Sequence, residues 1–412
     1  MTTICVGDKS EIKSWLEMVL KKENLINISV NILGTSEKGD GYMGDIIFVF
    51  VSGVREDGFT KEYNLALKCS KRSPALRNSL SIMHIYLNEI FVYNEIFPNF
   101  IKFQRSKGIR EVFDSFPKCY GMFRGEDVEV LVLEDLKKSG YELWPRKEPL
   151  KRKHIDLVVN EYGKFHAISV VMKEQQPDKF QAMVHVLEEN LMKLSGAGDM
   201  GMVFKSAVDE VYDLLKNDLD EDVMERWKNF AEQINHLFNE MSKNIKGLRV
   251  IIHGDSWNNN FMFKYEDGDL NSPSRVSIFD WQIARYSSPI LDLSYFLFSC
   301  ISKVDIEDIH DILKMYHKSF TDHLAHLGVS NELYPFKQLL DEWKCYSRHG
   351  VMMASLVLKS CSSDKDEILD ISQTVESGKD FTDSFLSKTR NTDHFKNRIR
   401  HIVEHVAKHK LI

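Results

Sequence analysis

Apolar residues recur with period two through the first part of the chain and with a helical period through most of the rest. Ile12, Trp15, Leu16, Val19 and Leu20 fall on one side of a helix predicted over residues 10–22. Ile28, Val30 and Ile32 then alternate with polar residues, Ile46 to Val51 is apolar throughout, Asp57-Gly58 signals a turn, and Tyr63, Leu65 and Leu67 alternate again. Residues 79–97 predict a second helix and Val128 to Leu133 a further strand. Beyond about residue 137 the pattern is helical, apart from Val250-Ile251-Ile252 and the run Val276, Ile278, Phe279 that leads into Asp280. No internal repeat or low-complexity linker interrupts the chain. The prediction is an α+β protein of two lobes: a small antiparallel-sheet lobe over residues 1–136 and a larger, mainly helical lobe over 137–412, joined near Glu134–Lys137.

Composition narrows this only a little. At 412 residues the chain exceeds the size at which one hydrophobic core stops growing, in keeping with two lobes. A net charge of -7 argues against a nucleic-acid or anionic-membrane surface, since both need clustered positive charge. The six cysteines are scattered, with no C-x-x-C pair, as expected of reduced thiols in a cytoplasmic protein. No apolar run approaches ~18 residues, so no membrane span is expected.

Candidate chemistry begins with Gly39-Asp40-Gly41-Tyr42-Met43-Gly44, a G-x-G-x-x-G. In a dinucleotide-binding turn the third glycine opens a helix. Here Asp45 to Val51 reads as a strand, so a dehydrogenase is disfavoured. A strand–glycine loop–strand hairpin can lay backbone N–H groups over nucleotide phosphates; an ordinary hairpin turn fits the same residues. The next strand ends Ala66-Leu67-Lys68, with Ala66 and Lys68 on one face: a small residue for adenine and a cation for phosphates, or simply a solvated lysine. On the helix at 79–97, Glu89 sits among Ile82, Ile85, Tyr86, Tyr93 and Ile96. A carboxylate on an apolar face needs a partner, and Lys68 is the natural one; exposure of Glu89 to water is the alternative.

The strongest signal is Ile251-Ile252-His253-Gly254-Asp255-Ser256-Trp257-Asn258-Asn259-Asn260, followed by Phe279-Asp280-Trp281-Gln282. Phosphoryl transfer needs a carboxylate to orient the acceptor hydroxyl and accept its proton, together with oxygen ligands for Mg²⁺. Asp255 fits the first role, and Asn260 and Asp280 the second, a sparse ligand set that suffices for this ion. His253 reads as a brace for the loop. Asp292 reads equally as a second brace or as a helix cap.

HGDSWNNN together with IFDWQIARYSSPILDLSYF resembles the ecdysteroid kinase-like (CHK kinase-like) family of arthropods, within the choline-kinase and aminoglycoside-phosphotransferase superfamily. LVLEDLKKSGY at 131–141 is similar to the family's hinge segment and KFHAIS at 164–169 to one of its helices. The resemblance implies a protein-kinase-like fold, ATP and Mg²⁺ as cofactors, and Glu134 and Leu136 at the adenine beside Gly39, Gly41, Gly44, Ala66, Lys68 and Glu89. It also implies a small-molecule alcohol as partner, an ecdysteroid or hydroxylated xenobiotic, whose phosphorylation would serve detoxification or hormone inactivation. Trp281 stands where phenylalanine is usual and Ser256 where an apolar residue is common; neither removes a ligand or the base.

A protein kinase is disfavoured by D-W-Q in place of D-F-G and by the lack of an A-P-E element. A catalytically inactive binding protein would be expected to lose Lys68, Asp255, Asn260 or Asp280, and all four are present. A choline- or ethanolamine-type acceptor remains the alternative to a lipophilic alcohol. Candidate acceptor walls are Met183, Met192, Phe204, Trp227, Trp343, Tyr346, Met352 and Met353, each of which also reads as plain helix packing.

Overall fold

The computed structural model describes residues 7–36, 44–79, 81–194, 200–243, 245–266, 268–367, 369–385 and 389–412. Gly39 and Gly41 of the glycine-rich motif lie outside the described residues. The N-terminal part runs α1 (Lys9–Val19), β1 (Leu25–Thr35), β2 (Gly44–Arg55), β3 (Thr60–Ser70), α2 (Pro74–Ser79), α3 (Ile82–Phe91), α4 (Phe97–Ser106), β4 (Cys119–Arg124) and β5 (Glu129–Glu134). Its five strands form one antiparallel sheet in the order β1-β2-β3-β5-β4.

Alternation gives this sheet two faces. Ile47, Val49, Val51, Leu65, Leu67, Cys69, Val130 and Val132 point to one side and are buried beneath α1 through Ile12, Trp15, Leu16 and Val19. Asp8 caps that helix, accepting the Glu11 main-chain N–H at 2.9 Å. Ile46, Phe48, Ala66 and Lys68 point the other way and stay half-buried. Leu131 and Leu133, on the same side as these, join the core of the helical lobe.

The helix expected over 79–97 is interrupted. A π turn over Val92–Ile96 separates α3 from α4. Beyond it Phe97 stacks on Phe116 at 3.7 Å and meets Trp281 edge-on at 5.0 Å, so α4 packs within the core of the helical lobe.

The C-terminal part continues with β6 (Tyr141–Leu143), α5 (Arg152–Gln175), α6 (Pro177–Leu194), α7 (Met200–Leu215), α8 (Glu221–Glu232), α9 (Ile234–Lys243), β7 (Val250–Ile252), β8 (Phe261–Lys264), β9 (Arg275–Ile278) and β10 (Arg285–Ser287). It ends with α10 (Pro289–Cys300), α11 (Ile309–His326), α12 (Phe336–Tyr346), α13 (Arg348–Ser362), α14 (Ile371–Glu376) and α15 (Thr392–Lys408). The small sheets β6-β8-β9 and β7-β10 present the segment between β7 and β10 to the sheet lobe. The sequence pattern predicts β7 and β9 but not β4, β6, β8 or β10. No helix among the described residues is long and apolar enough to cross a membrane.

α5 and α11 approach closely at Gly163, where an added Cβ would lie 2.7 Å from Ser319 Cβ and 2.8 Å from the Phe320 main-chain nitrogen. Alanine would gain up to about 1 kcal/mol in helix propensity. It would lose about 1–3 kcal/mol to overpacking against a backbone that cannot step aside. Gly163→Ala is therefore expected to lower the urea midpoint; a raised midpoint would show that the two helices have room to separate.

Candidate active site

Lys68 lies near the end of β3, on the half-buried face of the sheet, opposite α3. Its Nζ lies 2.7 Å from Glu89 Oε2 and 2.8 Å from Asp280 Oδ1. Glu89 is 1 % exposed, so the alternative in which it faced water does not hold. Its other oxygen accepts the Trp281 main-chain N–H at 3.1 Å. Burial works against the Lys68 charge, but the two carboxylates outweigh it and hold its pKa above the ordinary lysine value. One residue earlier on α3, Asn88 donates to the Gln282 and Ala284 carbonyls, both at 3.0 Å, and so ties the helix to the backbone beyond Asp280. Asp280 itself adopts φ +66°, a left-handed conformation that a non-glycine residue holds only where its surroundings enforce it.

Between β7 and β8 the loop carrying Asp255 is pinned from below. Asp292, on the first turn of α10 and fully buried, accepts the main-chain N–H of His253 at 2.7 Å and of Gly254 at 2.8 Å, and Ser256 Oγ–H at 2.8 Å. His166 lies 3.3 Å from its second oxygen. Asp292 thus acts as a brace, while capping of α10 falls to Ser288. Burial would raise the Asp292 pKa; the His166 contact and the Gly254 N–H more than reverse this and hold it at about 2. His253 accepts the Asp255 main-chain N–H through Nδ1 and donates from Nε2 to the Phe279 carbonyl at 2.9 Å. It braces the loop to the strand end before Asp280, as expected. Gly254, at φ +87°, sits where a Cβ would come within 2.5 Å of the Ile283 carbonyl and the Arg285 guanidinium.

Three donors hold the Asp255 carboxylate. Tyr295 OH reaches Oδ1 at 3.0 Å, Asn260 Nδ2 reaches Oδ2 at 2.9 Å, and Trp257 Nε1 reaches Oδ2 at 3.3 Å. Burial and the Asp280 charge nevertheless raise its pKa, with His253, Tyr295 and Asn260 offsetting part of the effect. Asn260 gives its amide N–H groups to the Asp255 main-chain oxygen and carboxylate. Among the described residues no protein group donates to Asn260 Oδ1 or to the second Asp280 oxygen. Hard oxygen donors of this kind, one amide and one carboxylate, fit Mg²⁺.

The remaining sequence candidates fall around this centre. Ala66 lies on the Lys68 face, opposite Phe48 and Leu133 in the strand register. Gly44 begins β2, where a Cβ would stand 1.7 Å from Tyr86 OH, so close packing by α3 already accounts for a glycine there. The Glu134 carboxylate turns back to Ser139 Oγ and to the Lys118 N–H at 3.2 Å. Leu136 is buried. Of the acceptor-wall candidates, Met183, Phe204, Trp227, Trp343 and Met352 are core packing. Tyr346 bonds the backbone of Lys246, and the Met192 side chain lies outside the described set. Met353 alone among them packs beside Trp257 and Tyr295. Sequence reasoning missed Asn88, Trp257, Arg285 and Tyr295. Asn88 carried a signal, as a polar residue beside Glu89 on an otherwise apolar helix.

An antiparallel sheet lobe set over a helical lobe, with a strand lysine, a helix glutamate and two loop aspartates converging between them, defines a protein-kinase-like fold. The profile of the ecdysteroid kinase-like family matches residues 38–329, and the chain belongs to that family. A 62-residue stretch is 31% identical to 4-hydroxytryptamine kinase of Psilocybe cubensis, covering 15% of this chain and 17% of that protein. The chain thus matches well under two thirds of this relative's length. Among solved structures, glucosamine kinase in one crystal form is 10% identical, with 93% of this chain and 92% of that one covered at a TM-score of 0.33. Glucosamine kinase in complex with glucosamine, ADP and inorganic phosphate is 11% identical, with 99% and 100% covered at 0.30.

Lys68 and Glu89 share one buried contact, so Lys68→Ala and Glu89→Ala should each impair ATP use. In a double-mutant cycle on ATP affinity their effects should fall short of additive by about 0.5–3 kcal/mol. Strict additivity would show that each acts alone.

Proposed function

We propose that the chain transfers the γ-phosphoryl group of ATP to a hydroxyl of a small, largely apolar alcohol, an ecdysteroid or hydroxylated xenobiotic foremost. The observation that carries this reading is the Asp255 carboxylate, oriented by Tyr295, Asn260 and Trp257 and set near the Lys68–Glu89–Asp280 cluster. Asp255 would accept the acceptor's hydroxyl proton as the new O–P bond forms and the bond from the γ-phosphorus to the bridging oxygen breaks, releasing ADP. Its raised pKa brings it nearer the working pH of a base. Lys68, fixed by Glu89, would meet the triphosphate, and the hairpin of Gly39, Gly41 and Gly44 would cover it. Ala66 and the backbone from Glu134 to Leu136 would border the adenine. Asn260 and Asp280 would hold Mg²⁺, which when bound supplies charge neutralisation on the phosphates. Membership of the ecdysteroid kinase-like family supports both the reaction and the acceptor class.

Asp255→Asn should retain ATP binding and lower kcat by about 10²–10⁴-fold, the contribution of a positioned base. In the parent enzyme the acid limb of kcat/KM should lie at a higher pH than an ordinary aspartate would give. The check is ADP release against a panel of steroids, glycosides, phenols and choline. Near-full turnover by the asparagine variant would remove Asp255 as the base, and turnover of choline alone would overturn the acceptor class.

Asp280→Asn removes a ligand charge. Its Mg²⁺ activation curve at fixed ATP should move to higher concentration while maximal activity falls. An unmoved curve would take Asp280 out of the metal site.

A further inference from the structure

Histidines recur at four-residue spacing along the last helix, His401 and His405 on α15 and His409 at its carboxyl end. The His409 main-chain N–H still donates to the His405 carbonyl at 3.0 Å, so these two imidazoles stand on one face. Their ring centroids lie 4.4 Å apart, and His405 also meets the Phe298 ring at 6.4 Å. The single turn Asp305–Asp308, just ahead of α11, presents Glu307 to them. One ring nitrogen from each of His405 and His409 and one Glu307 oxygen lie within 4.8 Å of one another. Among the described residues this is the one set of three histidine, cysteine or carboxylate groups that converges in this way.

His405 is 5 % exposed, and its Nδ1 faces Glu307 Oε1 at 3.9 Å, too far for a hydrogen bond; among the described residues that nitrogen has no other partner. Other buried imidazoles, His154, His323 and His349 among them, also have an unpaired nitrogen, but none is joined by two further groups of metal-ligating type. Glu307 and His409 are exposed, so an ion reaches the cluster from solvent without crossing the core. Burial pushes the His405 pKa down to about 4, which leaves an uncharged ring with a lone pair to give. Lys408 holds Glu307 ionised, its pKa below the ordinary glutamate value. That ammonium sits 2.7 Å from Oε2, and the other oxygen is the one that faces His405. The carbonyl end of α15 adds partial negative charge at the same place.

We propose that Glu307, His405 and His409 form a site for Zn²⁺, outside the cleft and independent of the phosphoryl-transfer reading. Two imidazoles and one carboxylate, with water as the fourth ligand, are a donor set that this ion takes, whereas Mg²⁺ asks for oxygen alone. Tetrahedral ligands at about 2.0–2.2 Å from the metal stand about 3.3–3.6 Å from one another, so side-chain movements of roughly 1 Å complete the site. Lys408 is exposed, and its flexible stem lets the ammonium move into water as the ion enters. The ion then staples the end of α15, which buries Ile399, Ile402, Val403 and Val406 in the core of the helical lobe, to the turn ahead of α11.

The test uses the full chain without a polyhistidine tag, stripped with chelator and titrated with zinc chloride in millimolar Mg²⁺, the affinity being read by competition with a chromophoric chelator. One Zn²⁺ per chain should bind ahead of any weaker site, and Tm should rise with it, because an ion that binds only the folded state stabilises that state. Glu307→Gln and His409→Gln alter exposed side chains, so in chelator both should keep the parental Tm. Their Kd for Zn²⁺ should nevertheless rise by at least about tenfold, since even the outer partners of a metal ligand are worth about 10–100-fold. His185→Gln, at an exposed histidine on α6, should leave Kd unchanged. Co²⁺ in place of Zn²⁺ should give the visible absorption of nitrogen-ligated cobalt in the parent and lose it in both ligand variants. A chain that binds no Zn²⁺, a Kd unmoved by Glu307→Gln and His409→Gln, a loss no greater than that of His185→Gln, or displacement of the zinc by Mg²⁺ each overturns the proposal. None of these readouts depends on phosphoryl transfer.

Discussion

The site depends on one carboxylate that never meets water. Asp292 is fully buried, and an ion so placed would cost several kcal/mol if its oxygens were not met by donors. Two consecutive main-chain N–H groups, a serine hydroxyl and a histidine meet them. The first turn of α10 adds a favourable dipole at the same place. The loop from His253 to Ser256 therefore has one shape in which Asp292 is satisfied. That shape requires Gly254 to take a left-handed conformation against the Ile283 carbonyl, and it delivers Asp255 to Tyr295, Trp257 and Asn260. The Asp255 carboxylate is oriented because the one beneath it, Asp292, must be buried with its partners.

A second constraint joins the lobes. Lys68 comes from the sheet, Glu89 from α3 and Asp280 from the end of β9, and one ammonium meets both carboxylates. Two carboxylates this near one another repel unless the cation stays between them. Asn88 reinforces the arrangement from the next position on α3, and the π turn after α3 lets α4 carry Phe97 into the core of the helical lobe. α3 is thereby fixed to the C-terminal lobe while its glutamate sets the lysine of the N-terminal one. Trp281, which donates its main-chain N–H to Glu89 and packs on Phe97 and Phe165, fills the space where the family more often has phenylalanine.

What the sequence made legible follows from how local each feature is. HGDSWNNN places its loop in one stretch, and helical spacing alone put Glu89 on an apolar face in need of a cation. Strand alternation separated Leu65 and Leu67 from Ala66 and Lys68, and the structure buries the first pair and leaves the second facing the cleft. The short strands β6, β8 and β10 went unseen. Tyr295 reaches Asp255 from forty residues away through a tertiary contact that no local pattern encodes. The broad list of methionines and aromatics failed as a description of the acceptor wall because such residues fill any helical core: Trp227 donates to the Val208 carbonyl within a helix pair and never approaches Asp255.

The helical lobe thus does two jobs with the same residue types, and polarity rather than size tells them apart. Where α13 faces the core, Val351, Met352 and Leu358 are buried among apolar neighbours, and nothing there needs a hydrogen bond. Where it faces Asp255, the same helix carries a sulfur-bearing stripe that ends in an imidazole without a protein partner, beside an arginine deep enough for burial to lower its pKa. A core selected for stability alone would replace such an imidazole with phenylalanine, since satisfied packing costs less than an unpaired polar atom. Polarity therefore separates the two faces of α13: the one toward the core buries apolar side chains, and the one toward Asp255 carries the His349 imidazole, whose nitrogens pair with no protein group among the described residues.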